Sequence, residues 1–250
     1  MKYIPIVPIA FLNDPDFDIK QTLILAHLIR QDKKYLKRCV QFRGEKWLDN
    51  SYYETKPNCI QIDELIQLGM LTDSLIICIP DTQFIDGQQF FRVHQDAARL
   101  LHEYRFIAMG VVTCANDFRK ELEEFKILNS IPEIDIISLP YNFNPPLDSR
   151  RPDFLDLIEK EVGVENIKKE IHLFGMYSID NLKKEKRPWV SSIDGTMAFK
   201  EGFHKQKLPI PHEIEHSRSS FGDFFAISRL DDEQRECIKY NLKWLEKECE

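Results

Sequence analysis

The sequence predicts an α/β protein of one domain, a TIM-type parallel (β/α)8 barrel with a C-terminal helix. The chain has 250 residues and 43% hydrophobic content, which suits one barrel with a substantial core. Short runs rich in β-branched residues alternate with helical patterns at a spacing of about 25 to 35 residues, as βαβ units require. Acidic residues follow several of these runs, whereas the sequence has no Gly-rich first turn of a doubly wound sheet. Together these observations favour the barrel.

Continuous apolar runs predict strands that are covered on both faces. Seven such runs span residues 22–28, 46–49, 75–80, 106–112, 134–139, 171–175 and 189–193. The Pro-rich segment 3–11 provides either an eighth strand or a cap over the barrel floor.

Apolar residues at helical spacing predict the connecting helices. They recur within residues 62–70, 90–101, 118–128 and 154–162. Residues 195–230 lack clear periodicity and are predicted to form a long loop, a lid or an irregular insertion. Residues 231–249 are predicted to form the C-terminal helix, with Asp231 or Asp232 as its N-cap.

Charge and cysteine usage restrict the possible functions. The net charge of −7 argues against binding nucleic acid through bulk charge, so any such contact needs a local basic face. The alternative for each basic cluster is a solvated face that only keeps the protein soluble. The candidate clusters are Lys33, Lys34, Lys37 and Arg38; Arg150 and Arg151; Lys183, Lys184, Lys186 and Arg187; and Lys200, Lys205 and Lys207. The six cysteines form no Cys-x-x-Cys pair, which argues against a zinc ribbon or a secreted disulfide framework. No apolar run reaches the roughly 18 residues of a membrane span. We therefore expect a cytoplasmic protein without a membrane partner.

Three predicted strands run directly into an aspartate, at Asp49, Asp81 and Asp194. The C-terminal ends of barrel strands open on one rim, so these carboxylates are expected to converge there. Carboxylates packed together raise one another's proton affinity, which suits a nucleophile and a general acid/base that work in turn. The alternative is that each aspartate only caps a helix or begins a turn.

Five segments between residues 20 and 200 form a wider pattern that includes the three strand-end aspartates. They are residues 48–54 (LDNSYYE), 79–81 (IPD), 109–114 (MGVVTC), 171–175 (IHLFG) and 192–194 (SID). In this order they resemble the tRNA-guanine transglycosylase superfamily, and most closely its zinc-free phage and bacterial branch that modifies DNA.

The resemblance implies an exchange of guanine for a 7-deazaguanine base in DNA, without a cofactor and with a protein encoded by a phage or a related modification cluster. Asp194 is then the nucleophile that forms a covalent glycosyl intermediate, and Asp49 transfers protons. The target nucleotide must be flipped out of a duplex or lie in a single strand. The resemblance makes Asp81 the reader of the guanine edge and adds further substrate-binding residues, namely Asn50, Ser51, Thr113, His172 and Gly175.

Two departures from the family are visible. The Cys-x-Cys-x-x-Cys…His zinc module of the tRNA enzymes is missing, so we expect neither a zinc subdomain nor a metal. Thr113-Cys114 stands where the family has Gln-Gly, which removes an amide that would read a base edge.

A second motif supports a different enzyme class. His212-Glu213-Ile214-Glu215-His216 matches His-Glu-x-x-His, the helical motif of zinc hydrolases. Pro209 and Pro211 directly precede it, whereas the motif normally sits within a helix. A zinc hydrolase and a non-catalytic barrel that binds nucleic acid therefore remain the alternatives.

Overall fold

The computed structural model describes residues 1–56, 58–82, 86–113, 117–141, 150–176, 178–210 and 221–250. Within these ranges, eight parallel strands form one sheet in the order β1-β8-β7-β6-β5-β4-β3-β2. The strands are β1 (Lys2–Pro5), β2 (Gln21–Leu25), β3 (Glu45–Asp49), β4 (Ile76–Cys78), β5 (Ile107–Val111), β6 (Ile136–Pro140), β7 (Glu170–Phe174) and β8 (Ser192–Gly195). With helices between the strands, the fold is a nearly closed TIM-type barrel, as predicted.

Side chains connect the two edge strands of this sheet. The Gln21 Nε2 atom donates to the Tyr3 carbonyl at 3.1 Å, and the Thr22 hydroxyl donates to the Pro5 carbonyl at 2.8 Å. Segment 3–11 thus provides the eighth strand, β1, followed by a 3-10 turn over Ile9–Phe11. Because β1 pairs with β8 through its backbone, these two bonds complete the circuit of strands.

Eleven helices occur in the described residues. They are α1 (Ala26–Gln31), α2 (Lys33–Gln41), α3 (Tyr52–Thr55), α4 (Ile62–Thr72), α5 (Gly87–Glu103), α6 (Phe118–Ser130), α7 (Arg151–Glu161), α8 (Ile179–Glu185), α9 (Met197–Phe203), α10 (Phe221–Ala226) and α11 (Asp232–Cys249). Asp231 caps α11 through a capping box with Gln234, which confirms the predicted start of the C-terminal helix.

Two sequence predictions about local structure are wrong. The apolar run 22–28 is not one strand, because β2 ends at Leu25 and His27 lies in α1. A short apolar run has no periodicity that separates a strand from a buried helical turn. Residues 195–230 are not irregular throughout, because they contain α9 and α10. Helix α9 packs on α11 through Gly202, a residue that hydrophobic periodicity does not register.

Strand pleating determines which side chains enter the barrel. The rings of Trp47 on β3 and His172 on β7 lie 5.0 Å apart between centroids, although the two strands are not neighbours in the sheet. Both side chains therefore point inward. Because side chains alternate along a strand, Asp49 on β3 and Phe174 on β7 also point inward, one layer nearer the C-terminal mouth.

Candidate active site

A cavity of about 250 Å³ lies at the C-terminal mouth of the barrel. This volume is slightly below the 300–1,000 Å³ or so of pockets for drug-sized ligands, so the cavity suits a small ligand. Its walls are mostly apolar or aromatic, and its carboxylates come from four positions. The lining residues are Ile6, Leu23, Leu25, Asp49, Asn50, Tyr52, Glu54, Asp81, Val111, Pro140, Tyr141, Phe174, Gly175 and Asp194.

Asp194 is held at one carboxylate oxygen. Its Oδ1 atom accepts from the backbone N–H of Gly175 at 2.9 Å and lies 3.1 Å from His172 Nε2. Among the described residues, no hydrogen bond reaches Oδ2. Asp194 is only 2% exposed, yet it lines the cavity.

His172 is buried beneath the cavity and fixes the orientation of Asp194. A carboxylate only accepts hydrogen bonds, so Nε2 donates to Asp194, and in a neutral ring Nδ1 then accepts from the Ser192 hydroxyl at 2.9 Å. Trp47 and Phe174 each pack against the imidazole with ring centroids 5.0 Å away. The ring is therefore constrained by contacts on several sides, and it acts on Asp194 rather than opening into the cavity itself.

Asp49 has a different electrostatic environment. Burial raises the pKa of its carboxyl well above the ordinary value, and the charges of Glu54, Asp81 and Asp194 raise it further. The opposing influence is one backbone donor, the Ser51 N–H at 3.0 Å from Oδ2. Ser51 itself adopts a left-handed conformation, with φ 56°. Asp49 thus holds its proton more tightly than an ordinary aspartate does.

Asp81 is oriented by Asn50, the residue that follows Asp49. The Asn50 amide donates to Asp81 Oδ1 at 2.8 Å and to the Ile79 carbonyl at 2.7 Å, while its oxygen accepts from the Tyr52 N–H. Burial raises the pKa of Asp81 to about 6, against the lowering effects of Asn50 and the Lys56 charge. Asp81 therefore changes its charge in the mildly acidic range.

The predicted site residues fall into three groups in the structure: those that line the cavity, those that lie behind it, and Thr113, which does neither. Asp49, Asn50, Asp81, Gly175 and Asp194 line one cavity. Ser51 and His172 lie behind it and bond to its carboxylates.

Thr113 does not line the cavity. Its hydroxyl donates to the Thr82 carbonyl at 3.0 Å, and its N–H donates to Glu124 at 2.7 Å. Burial raises the pKa of Glu124 to about 7. Cys114, the other half of the altered Gln-Gly pair, lies outside the described residues.

Two contributors to the site were not predicted. Glu54 lines the cavity, and burial raises its pKa. It stands within the segment 48–54, but the sequence assigned it no role.

Arg151 is fully buried, pairs with Glu185 at 2.6 Å, and donates to the carbonyls of Leu139, Phe174 and Gly175. It therefore holds the strand ends that present the Gly175 N–H to Asp194. No local pattern indicated this role, because Arg151 and Glu185 stand 34 residues apart.

Within the part of the chain that the structure describes, no three His, Cys, Asp or Glu side chains are grouped to bind a metal ion. His212, Glu213 and His216 lie outside the described residues, so the zinc-hydrolase alternative stays a prediction. No described helix is both long and apolar enough to cross a membrane.

Fold and site together define a class, a TIM-type barrel with a carboxylate-lined mouth. No protein-family model matches the sequence, and no curated protein matches it significantly. Any function must therefore be argued from the site itself.

Proposed function

We propose that this protein is a transglycosylase that exchanges guanine for a 7-deazaguanine base in DNA through a covalent aspartyl-glycosyl intermediate. The observation that supports this most strongly is the contrast between Asp194 and Asp49 in one cavity. Two donors orient Asp194, and its Oδ2 atom accepts no hydrogen bond from the described residues, whereas Asp49 is surrounded by acidic groups that favour its protonated form. A nucleophile beside a proton donor is the pair that retaining glycosyl transfer uses.

The first half of the reaction breaks the bond to guanine. Asp194 Oδ2 attacks C1′ of the nucleotide, the C1′–N9 bond breaks, and its electron pair leaves with the base. Asp49 supplies the proton that makes the departing guanine neutral. The sugar is then esterified to Asp194, and Asp49 is a carboxylate.

The second half restores the enzyme. The incoming deazaguanine loses its N9 proton to Asp49, and N9 attacks C1′. The ester bond to Asp194 breaks and its electrons return to the carboxylate. One proton has entered and one has left, so no oxidant, reductant or metal is required.

Base recognition is assigned to Asp81. An ionised carboxylate offers two acceptors, which match the N1–H and amino group of guanine. The Asn50 amide already fixes Oδ1, so the carboxylate has a defined orientation before the base arrives. Tyr52 and Tyr141 provide aromatic surface on the cavity wall for a flat purine.

Trapping the intermediate tests this proposal. The protein is incubated with guanine-containing DNA, quenched in acid and digested, and the adduct is located by peptide mass. We expect an adduct on the peptide that carries Asp194, and release of radiolabelled guanine that the Asp194→Ala variant abolishes. Full exchange by Asp194→Ala would refute the mechanism, and an adduct on Asp49 or Asp81 would reassign the nucleophile.

A further inference from the structure

A second and larger concavity adjoins the mouth. It has a volume of about 910 Å³ and lies between α1, α2 and the segment that follows α10. Glu54 lines both spaces, so the two adjoin at this residue. We call this second space the α2 groove. Its lining residues are Ile9, Ala10, His27, Leu28, Asp32, Lys34, Lys37, Arg38, Gln41, Glu54, Phe225, Ala226, Ile227 and Ser228.

Three cations occupy one wall of the α2 groove. Lys34, Lys37 and Arg38 stand at i, i+3 and i+4 of α2, so they share one helical face, and all three are exposed. None of them forms a salt bridge with any residue in the described ranges. By contrast, Arg30 on the preceding helix pairs with Glu64 at 2.9 Å. Among the described residues, this face therefore concentrates cations without acidic partners, in a protein of net charge −7.

The acidic groups of the groove do not neutralise this face through ion pairs. Asp32 is the N-cap of α2, and its Oδ1 accepts from the backbone N–H groups of Lys34 and Tyr35. Glu54 stands at the junction with the mouth, where burial raises its pKa and so disfavours its charge. The part of the groove nearest the mouth therefore repels an anion less than a fully ionised Glu54 would.

We propose that the α2 groove binds the phosphate backbone of the DNA strand that flanks the nucleotide in the mouth, with Lys34, Lys37 and Arg38 contacting its phosphates. This inference rests on the proposed function, because it takes the substrate to be a polynucleotide rather than a free nucleoside. A protein of net negative charge can accept a polyanion only along a local cationic path. The α2 groove provides such a path, and it adjoins the carboxylate-lined mouth at Glu54.

The dimensions agree with a short stretch of backbone. Lys34 and Arg38 are four residues apart, so they are separated by about 6 Å along the helix axis. Phosphates of one strand in a duplex are spaced by about 3.4 Å along its axis, so the face spans two phosphates and at most three. Apolar residues of the groove, including Leu28 and Ile227, provide surface for sugars and bases.

Binding of a fluorescent single-stranded DNA oligonucleotide, followed by anisotropy against salt concentration, tests the inference. The variant carries Lys34→Gln, Lys37→Gln and Arg38→Gln, which preserve helix-forming side chains. For two to three lost phosphate contacts, the slope of log K against log salt should become shallower by about 1.4 to 2.1. At about 0.1 M salt, three such contacts correspond to a loss of affinity of about 100-fold.

A matched control removes the same charge elsewhere. Arg119, Lys120 and Lys126 on α6 are exposed and line neither cavity. Their triple Gln variant should keep the original affinity and salt slope. Equal losses in both triple variants would show that only net charge matters and would overturn the inference.

The outcomes separate this inference from the proposed function. Weakened binding by the α2 variant, without any base exchange by the unmodified protein, supports the groove and refutes the transglycosylase. Base exchange with unchanged binding by the α2 variant supports the enzyme and refutes the groove. If the unmodified protein binds no DNA, or binds equally after the α2 substitutions, the groove has no role in DNA binding.

Discussion

Replacing Asp81 with Asn should stabilise the protein at neutral pH, because the folded state must bury an ionised carboxylate there. The pKa of Asp81 is raised from 3.8 to about 6, mainly by burial. That difference of about two pKa units, at 1.36 kcal/mol per unit, sets an upper value of about 3 kcal/mol. Asp81 is only half-buried beside an open cavity, so solvent screening reduces the expected gain to about 1 to 2 kcal/mol.

The direction of the pH dependence follows from linkage. The folded protein holds the Asp81 proton more tightly than the unfolded chain does. The stability from this proton is therefore complete below a pH of about 3.8 and is lost as the pH rises through about 6. In Asp81→Asn this titration is absent, while the new side-chain oxygen still accepts the bond from Asn50. The difference in unfolding free energy between variant and wild type should therefore grow over this range and stay constant above it.

Urea unfolding, followed by tryptophan fluorescence at several pH values, measures this difference. Other carboxyls titrate in the same range, so the comparison between the two proteins matters, and not either curve alone. The same substitution should weaken binding of the free deazaguanine base, because an amide replaces one of the two acceptors with a donor. A difference in stability that does not change with pH, or a wild type that is more stable at neutral pH, would refute the reasoning.

Three further substitutions test other parts of the structure. Arg151→Met should lower the free energy of unfolding by about 3 to 5 kcal/mol, because it removes the guanidinium that pairs with the buried Glu185 carboxylate. Adding Glu185→Leu should recover part of this loss in urea titrations. Gly202→Ala should destabilise the protein by about 1 to 3 kcal/mol despite better helix propensity, because its Cβ would meet the backbone nitrogen of Ile238 at 2.8 Å; an unchanged melting temperature would contradict this packing. His172→Phe should slow base exchange about 100-fold without loss of DNA binding, because the nucleophile loses an orienting donor, whereas His172→Gln should retain more activity.

The barrel itself was predictable because buried parallel strands leave a strong local signal. Residues 46–49, 106–112 and 171–175 were recognised as apolar runs, and each overlaps an observed strand. The strand-end positions of Asp49 and Asp194 followed from the same runs, and parallel topology then placed both at one mouth. What the sequence could not predict was the register between strands, which determines that His172, and not another polar residue, lies against Asp194.

Long-range polar contacts were also inaccessible to sequence reasoning. The support that Arg151 gives to Gly175 depends on strand ends that meet only after the barrel forms. The cationic cluster on α2 was visible in the sequence, but its position beside the mouth, next to Glu54, was not. Sequence patterns thus identified elements and single residues, whereas the pairing of one residue with another required the fold.

Asp49 and Asp194 show how this pairing differentiates two identical side chains. Both are inward-facing residues near the C-terminal ends of barrel strands, and both line the same cavity. Asp194 receives donors from His172 and Gly175, whereas Asp49 receives one backbone donor and is surrounded by carboxylates. The difference arises outside the two aspartates, in the strand and loop segments next to them. An enzyme that needs one carboxylate to attack and another to transfer protons requires such unequal surroundings. Substitutions that remove the donors from Asp194 or the acidic neighbours from Asp49 should therefore impair the proposed reaction even where both aspartates are retained.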